Sequence, residues 1–329
     1  MLNMAEWIES IIKGEHRRPL PILSFPGIQI LNIRVIDLIQ SEVLQAECMK
    51  AIADRYPMLA AVSLMDLSVE AEAFGAKTIY SDHEVPAIVG QLIKTADDAH
   101  CLSIPSVGSG RTGQAIKTIQ IAAEKITDRP VLAGIIGPFS LACRLIGMTE
   151  IMYWAVDDPD LVSLVLEKAT DFLQRYALAF KEAGANGIIM AEPAAGLLSP
   201  EWNRSFSVHY VKEIIKAVED DQFMVVYHNC GNTTPLIADI ITTGAMAFHF
   251  GNSISMEDVI QKIPGDRLVM GNIDPASQFV HGTEESIYKA AKDLWDRMKK
   301  YPNFILSSGC DIPPHAPLSN IDAFFSAVT

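Results

Sequence analysis

Cysteine and positive charge are both scarce in this sequence. The five cysteines, Cys48, Cys101, Cys143, Cys230 and Cys310, are odd in number and widely spaced. They do not form the even framework of a small disulfide-stapled secreted domain, so a reducing compartment is expected. Lysine and arginine total 26 against 40 aspartates and glutamates, a formal charge of −14. That balance argues against nucleic acid as a partner, because nonspecific affinity for it rests on neutralising phosphates. A small anion held in a local basic pocket remains compatible. Also missing is any uninterrupted apolar run near the roughly 18 residues of a membrane span. The most apolar stretch, 131–147, is broken by Pro138, Ser140 and Arg144. The first residues carry Glu6, Glu9 and Glu15 and lack a basic start and a cleavage site. They read as an amphipathic helix and not as a secretory signal, which places the expected protein in the cytoplasm, away from membranes. There is no low-complexity tract, long charge block or Pro/Ser-rich linker.

What is present is a large apolar fraction, 49% of 329 residues, and a regular alternation. From about residue 58 onward, short apolar runs alternate with longer amphipathic ones. The candidate strands are 59–65, 78–80, 131–136, 187–191, 223–228, 245–250, 267–271 and 304–308. Helical patterns lie between most of them. Leu161, Val165, Phe172, Tyr176 and Phe180 fall on one face of a helix over 158–183, and Ile287, Ala291, Leu294 and Met298 on one face over 284–301. Alternating strands and helices with short loops imply a parallel sheet. Eight such strands predict a (β/α)₈ TIM barrel in one domain, residues 58–329, with residues 1–57 as an N-terminal helical extension packed on its bottom or side.

Barrel active sites collect at the C-terminal ends of strands, and two such ends carry metal-ligand chemistry. In Phe223-Met-Val-Val-Tyr-His-Asn-Cys-Gly231, His228 and Cys230 are two apart and share a face of an extended chain. Their Cα atoms are expected roughly 6.6 Å apart at ~3.3 Å per residue, a gap one metal can bridge. In Phe304-Ile-Leu-Ser-Ser-Gly-Cys310 the same alternation turns Cys310 inward. No local motif links the two stretches, but inward residues at the top of a barrel converge on one axis. Imidazole with two thiols favours zinc over magnesium or calcium, and three protein ligands leave a fourth position for substrate. The competing reading is a core cysteine beside a hydrogen-bonded histidine.

Other polar residues fall near strand ends. Glu192, ending the 187–191 strand, is a fourth ligand or a base, or else an exposed loop carboxylate or a helix-start residue. Asp66, Asn272 and Asp274 are expected to rim the pocket where a cofactor would lie. Asp311 either orients the site or caps the next turn. His249 reads as a satisfied core histidine that also lies within range of the cavity. Gly108-Ser-Gly-Arg-Thr-Gly113 has dinucleotide-loop spacing but no proper strand before it. A glycine loop opening a helix, with Arg111 toward solvent or an anion, accounts for it.

Several of these stretches carry a resemblance. Glu70-Ala-Glu-Ala-Phe-Gly-Ala76, Gly137-Pro-Phe-Ser-Leu-Ala142, His228-Asn-Cys-Gly231, Gly271-Asn-Ile-Asp-Pro275 and residues 308–321 resemble the uroporphyrinogen decarboxylase superfamily. More closely, they look like its zinc-dependent methylcobalamin:coenzyme M methyltransferase-like branch. The resemblance implies a (β/α)₈ barrel and zinc on His228, Cys230 and Cys310. It also implies methylcobalamin carried by a partner corrinoid protein, and a small thiol as methyl acceptor. Bound to the metal, the thiol would be a thiolate able to attack the methyl group. The decarboxylase branch has an Arg-Gln-Ala-Gly-Arg motif, for which His16-Arg-Arg-Pro19 is no match, and lacks the His/Cys/Cys set. Porphyrinogen decarboxylation and a noncatalytic corrinoid- or small-molecule-binding barrel are the alternatives. No interface stripe chooses between monomer and homodimer.

Overall fold

A computed structural model describes residues 2–14 and 17–328. Glu15 and His16, which enter the readings of the first helix and of the basic stretch, lie outside the described residues. Seven parallel strands form one curled sheet in the order β1 (Ala61–Val62), β4 (Val131–Ile136), β5 (Gly187–Ala191), β6 (Met224–Asn229), β7 (Ala247–Phe250), β8 (Leu268–Ile273) and β9 (Phe304–Ser308). Nearly every residue of these strands is buried. Strands covered on both faces have no use for alternating polarity, which is why they read in sequence as short continuous apolar runs.

The expected second strand is not part of this sheet. β2 (Thr78–Ile79) pairs antiparallel with β3 (Ala87–Ile88) in a separate ribbon, and Ile79 is exposed. The eighth place is taken from the N-terminal segment instead. Leu20 N–H donates to Leu306 O at 3.0 Å and Ile22 N–H to Ser308 Oγ at 3.0 Å, while Leu59 N–H donates to Pro19 O at 3.1 Å. Residues 19–23 therefore run beside β9 on one side and meet the start of β1 on the other. Proline explains both why they are not helical and why they suit this seam. Pro19 and Pro21 hold φ near −65° and lack N–H groups. In an extended chain their nitrogens face opposite to those of Leu20 and Ile22, so the donors that remain are the two aimed at β9. Every residue from Pro19 to Ile28 is buried.

The helices follow their expected faces. The long helix Pro159–Glu182 starts at an Asp158 cap, whose Oδ1 accepts from Leu161 N–H at 3.1 Å. It buries Leu161, Val165, Phe172, Tyr176 and Phe180 against the barrel. Glu284–Met298 buries Ile287, Ala291, Leu294 and Met298 behind a Thr283 capping box. Four helices, Met4–Ile12, Gly27–Leu31, Val35–Ile39 and Glu42–Arg55, precede β1. Among the described residues, no helix is long and apolar enough to cross a membrane.

The seam can be probed at one atom. Ser308→Ala leaves the buried Ile22 N–H without its acceptor. The expected cost is about 1–3 kcal/mol, read as a lower urea midpoint with an unchanged slope. A variant as stable as the parent would mean that this contact does not hold the seam.

Candidate metal centre

β6 and β9 deliver three ligand-type side chains to one point. His228 lies at the end of β6, Cys230 two residues on, and Cys310 two residues past β9. One ligand atom from each lies within 4.8 Å of the others, the only such grouping of His, Cys, Asp and Glu among the described residues. His228 Nε2 stands 3.6 Å from Cys310 Sγ. Cys230 is held below the ordinary thiol range by a hydrogen bond from Cys310 and then by His228, while the same bond and burial push Cys310 up. The two thiols and the imidazole thus lie in direct contact at one point. That is a donor set prepared for a cation.

The chain around the trio is tied down by hydrogen bonds. Asn229 Nδ2 donates to Glu192 O at 2.6 Å, and its Oδ1 accepts from Gly231 N–H at 2.9 Å. Asn229 therefore fixes the turn that separates the two β6 ligands. Nothing in the sequence had singled it out, because a role made mostly of backbone contacts leaves no spacing signal. Gly251 packs under the same turn: a Cβ there would stand 2.5 Å from both Cys230 Cα and Cys230 O. His249 lies behind His228, the two Nδ1 atoms 2.8 Å apart, and belongs to the interior.

A cavity of about 50 Å³ opens beside the trio, with Ile22, Met65, Leu67, Pro193 and Asp311 on its wall. Asp311 Oδ1 is buried without a hydrogen-bond partner among the described residues, and desolvation raises its pKa well above the carboxylate range. The other expected site residues are engaged elsewhere. Glu192 is fully buried and accepts from Phe139 N–H at 2.8 Å, Ser140 N–H at 2.9 Å and Ser140 Oγ–H at 2.7 Å. It closes the N-terminus of the helix Pro138–Ile146, where orphan N–H groups and the helix dipole favour an acceptor. This explains Gly137-Pro-Phe-Ser. A Cβ on residue 137 would lie 2.2 Å from Glu192 Cγ, and proline at the first helical position gives up no donor that the helix uses. Asn272 donates to Gly251 O at 2.9 Å and Ile254 O at 2.8 Å, and Asp274 caps the turn at Ala276 and Ser277.

Asp66 accepts from Ser68 and pairs with Arg111. The expectation that Arg111 points to solvent or an anion is corrected here. Its guanidinium is largely buried, bonded to Asp66, Ser68 and Glu72, with Tyr80 stacked on it at 5.3 Å. The glycines that imitate a dinucleotide loop bring it there: Gly108 and Gly110 take positive φ, and a Cβ on Gly113 would strike Gly108 O at 2.6 Å. Beside this cluster, Glu70 is fully buried. Its Oε1 accepts from Ile136 N–H at 3.1 Å, and its Oε2 has no partner among the described residues.

Parallel strands closed by an eighth extended segment, with imidazole and two thiols gathered at the strand ends, define a (β/α)₈ barrel with a site that can hold a metal ion at its top. The chain belongs to the uroporphyrinogen decarboxylase (URO-D) family, whose model matches residues 27–329. Among known proteins it is 29% identical over 260 residues to the methylcobamide:CoM methyltransferase MtbA of Methanosarcina mazei, covering 78% of this chain and 75% of that one. It is 26% identical over 253 residues to the uroporphyrinogen decarboxylase of Xylella fastidiosa, covering 74% and 70%. A solved methyltransferase from Methanosarcina mazei superposes with a TM-score of 0.86 at 24% identity, over 99% of this chain and 98% of that one.

Burial makes Glu70 a pH probe. Desolvation raises its pKa from 4.5 to about 7, so between those values the folded state binds more protons than the unfolded chain. Stability then falls as pH rises through that window. Glu70→Gln removes this share of the fall, leaving the parts due to Glu192 and Glu219, which burial also raises to about 7. Urea titrations at pH 4.5, 5.5, 6.5 and 7.5 should give a flatter profile for the variant. Parallel profiles would mean that folding does not raise the Glu70 pKa.

Proposed function

We propose that this chain is a corrinoid-dependent methyltransferase. It moves a methyl group between a methylated corrinoid carried by a partner protein and a thiol of the coenzyme M kind, with zinc on His228, Cys230 and Cys310. The observation that carries the reading is the trio. Ligands about 2.0–2.3 Å from one tetrahedral ion stand roughly 3.5–3.8 Å apart, and the 3.6 Å between His228 Nε2 and Cys310 Sγ fits that spacing. One imidazole with two thiols selects zinc among common ions. Bound there, zinc would supply a positive charge that keeps the acceptor's sulfur deprotonated.

The surrounding side chains do the rest. Ile22, Met65, Leu67 and Pro193 give the cavity an apolar wall, where a thiolate is poorly hydrated and therefore a stronger nucleophile. We assign Asp311, on the same wall, to orienting the acceptor. Glu192, Asp66, Asn272 and Asp274 hold the strand-end loops in place. Support also comes from relatives named for this chemistry, the methylcobamide:CoM methyltransferase above and a methylated-thiol–coenzyme M methyltransferase of Methanosarcina mazei, 24% identical over 269 residues. A decarboxylase has no use for the His/Cys/Cys cluster. The five free cysteines fit a reducing cytoplasm.

A second cavity, about 450 Å³, shares Leu67 and Pro193 with the first and has Arg144 on its wall. Among the described residues Arg144 has no hydrogen-bond or ion-pair partner. We assign it to the far end of the acceptor, which would then be anionic.

Purified protein should hold about one zinc per chain and transfer methyl from methylcobalamin to a thiol. The double change Cys230→Ser with Cys310→Ser should abolish both. Thiol binding should release a proton, seen as a calorimetric enthalpy that varies with the buffer. Metal-free protein with full activity would sink the reading. Arg144→Ala should raise KM for a sulfonate-bearing thiol about 10-fold or more, and leave a neutral thiol of equal length almost unaffected. Equal effects on both thiols would remove the assignment of Arg144.

A further inference from the structure

We propose that His249 is a positioning residue for the metal centre: a chain of hydrogen bonds anchored on the Leu20 carbonyl fixes His228 in the tautomer that presents its Nε2 lone pair to the ion. The inference rests on the reading of His228 as a ligand and goes beyond it by assigning what orients that ligand.

The direction of each bond follows from the groups involved. Leu20 O can only accept. Ser307 Oγ, 2.7 Å from it, must therefore donate its single proton there. Ser307 Oγ can then meet His249 Nε2, 2.7 Å away, only as an acceptor, so His249 carries its proton on Nε2. A second proton would put a cation into a site 1% exposed, against another imidazole. His249 Nδ1 thus offers a lone pair to His228 Nδ1, 2.8 Å away, and His228 must supply the proton. The His249 carbonyl, 3.3 Å from the same nitrogen, is a second acceptor and agrees with that direction. With its proton on Nδ1, His228 has a free lone pair on Nε2, the atom that faces Cys310 at 3.6 Å.

The chain of contacts crosses the barrel interior. His228 and His249 are register partners on β6 and β7, Ser307 lies on β9, and Leu20 belongs to the seam segment. Ile22 of that segment also walls the cavity. The seam is in this way joined to the metal site at two points. Metal-bound histidines commonly depend on such an outer partner, whose loss costs about 10–100-fold in metal affinity.

The test is zinc affinity by chelator competition, with cobalt(II) as a spectroscopic substitute, on the full chain. His249→Phe keeps an aromatic ring but cannot accept from His228. It should bind zinc about 10–100-fold more weakly and shift the visible cobalt bands. His249→Asn restores an acceptor near the Nδ1 position and should recover most of the affinity and the parent spectrum. Ser307→Ala removes the anchor at small volume cost and should weaken zinc in the same direction, which decides the matter if His249→Phe does not fold. A folded His249→Phe or Ser307→Ala with parental affinity and spectrum would overturn the proposal. A parent chain that binds no zinc would overturn the functional reading itself, and the two failures are thereby distinct.

Discussion

The closure of the barrel between β9 and β1 is the constraint on which the site depends. Cys310 follows β9 and His228 ends β6, three strands away in the sheet order. On an open sheet their side chains would stay well apart; on a closed one they point at a common axis. Closure here needs residues 19–23, which bond to β9 on one side and to the start of β1 on the other, two strands that do not pair with each other. The same residues supply a wall of the cavity through Ile22 and the last acceptor behind His228 through Leu20.

Charge is handled by burial and pairing inside the upper half of the barrel. Arg111 is surrounded by Asp66, Glu72 and Ser68, so the loop after β1 is held by a network rather than by a single pair. Glu192 holds the loop after β4 through a helix N-terminus, and Asn229 holds the turn after β6. The loops after β1, β4 and β6 are therefore each fastened by buried polar contacts. The ligating and cavity-lining side chains inherit a rigid setting, as a preorganised site requires.

Much of this was legible in the sequence. Strands 131–136, 187–191 and 304–308 stood out because residues buried on both faces leave unbroken apolar runs. His228 and Cys230 were visible because a two-residue step has one meaning in a strand, and Cys310 because its run showed the same step. The eighth barrel position was misplaced for an equally physical reason. Thr78–Ile79 has β-forming residues but pairs locally with Ala87–Ile88, whereas Pro19 and Pro21 gave the true seam segment the look of a connector. Arg111 was misjudged because an acidic partner 45 residues earlier cannot be read from glycine spacing. Glu192 was placed at the right strand end, but three of its donors belong to a helix whose start lies more than fifty positions before it.

The seam also sets an order of events. The contact between Ile22 and Ser308 joins groups 286 positions apart. During synthesis the segment at 19–23 emerges early, and its partner on β9 emerges last among the barrel strands. Until β9 has been made, the Leu20 and Ile22 N–H groups have no native acceptor. The barrel thus cannot be completed progressively from its first strand. It closes in one late step, and that step brings Leu20, Ser307 and Cys310 together at the same moment.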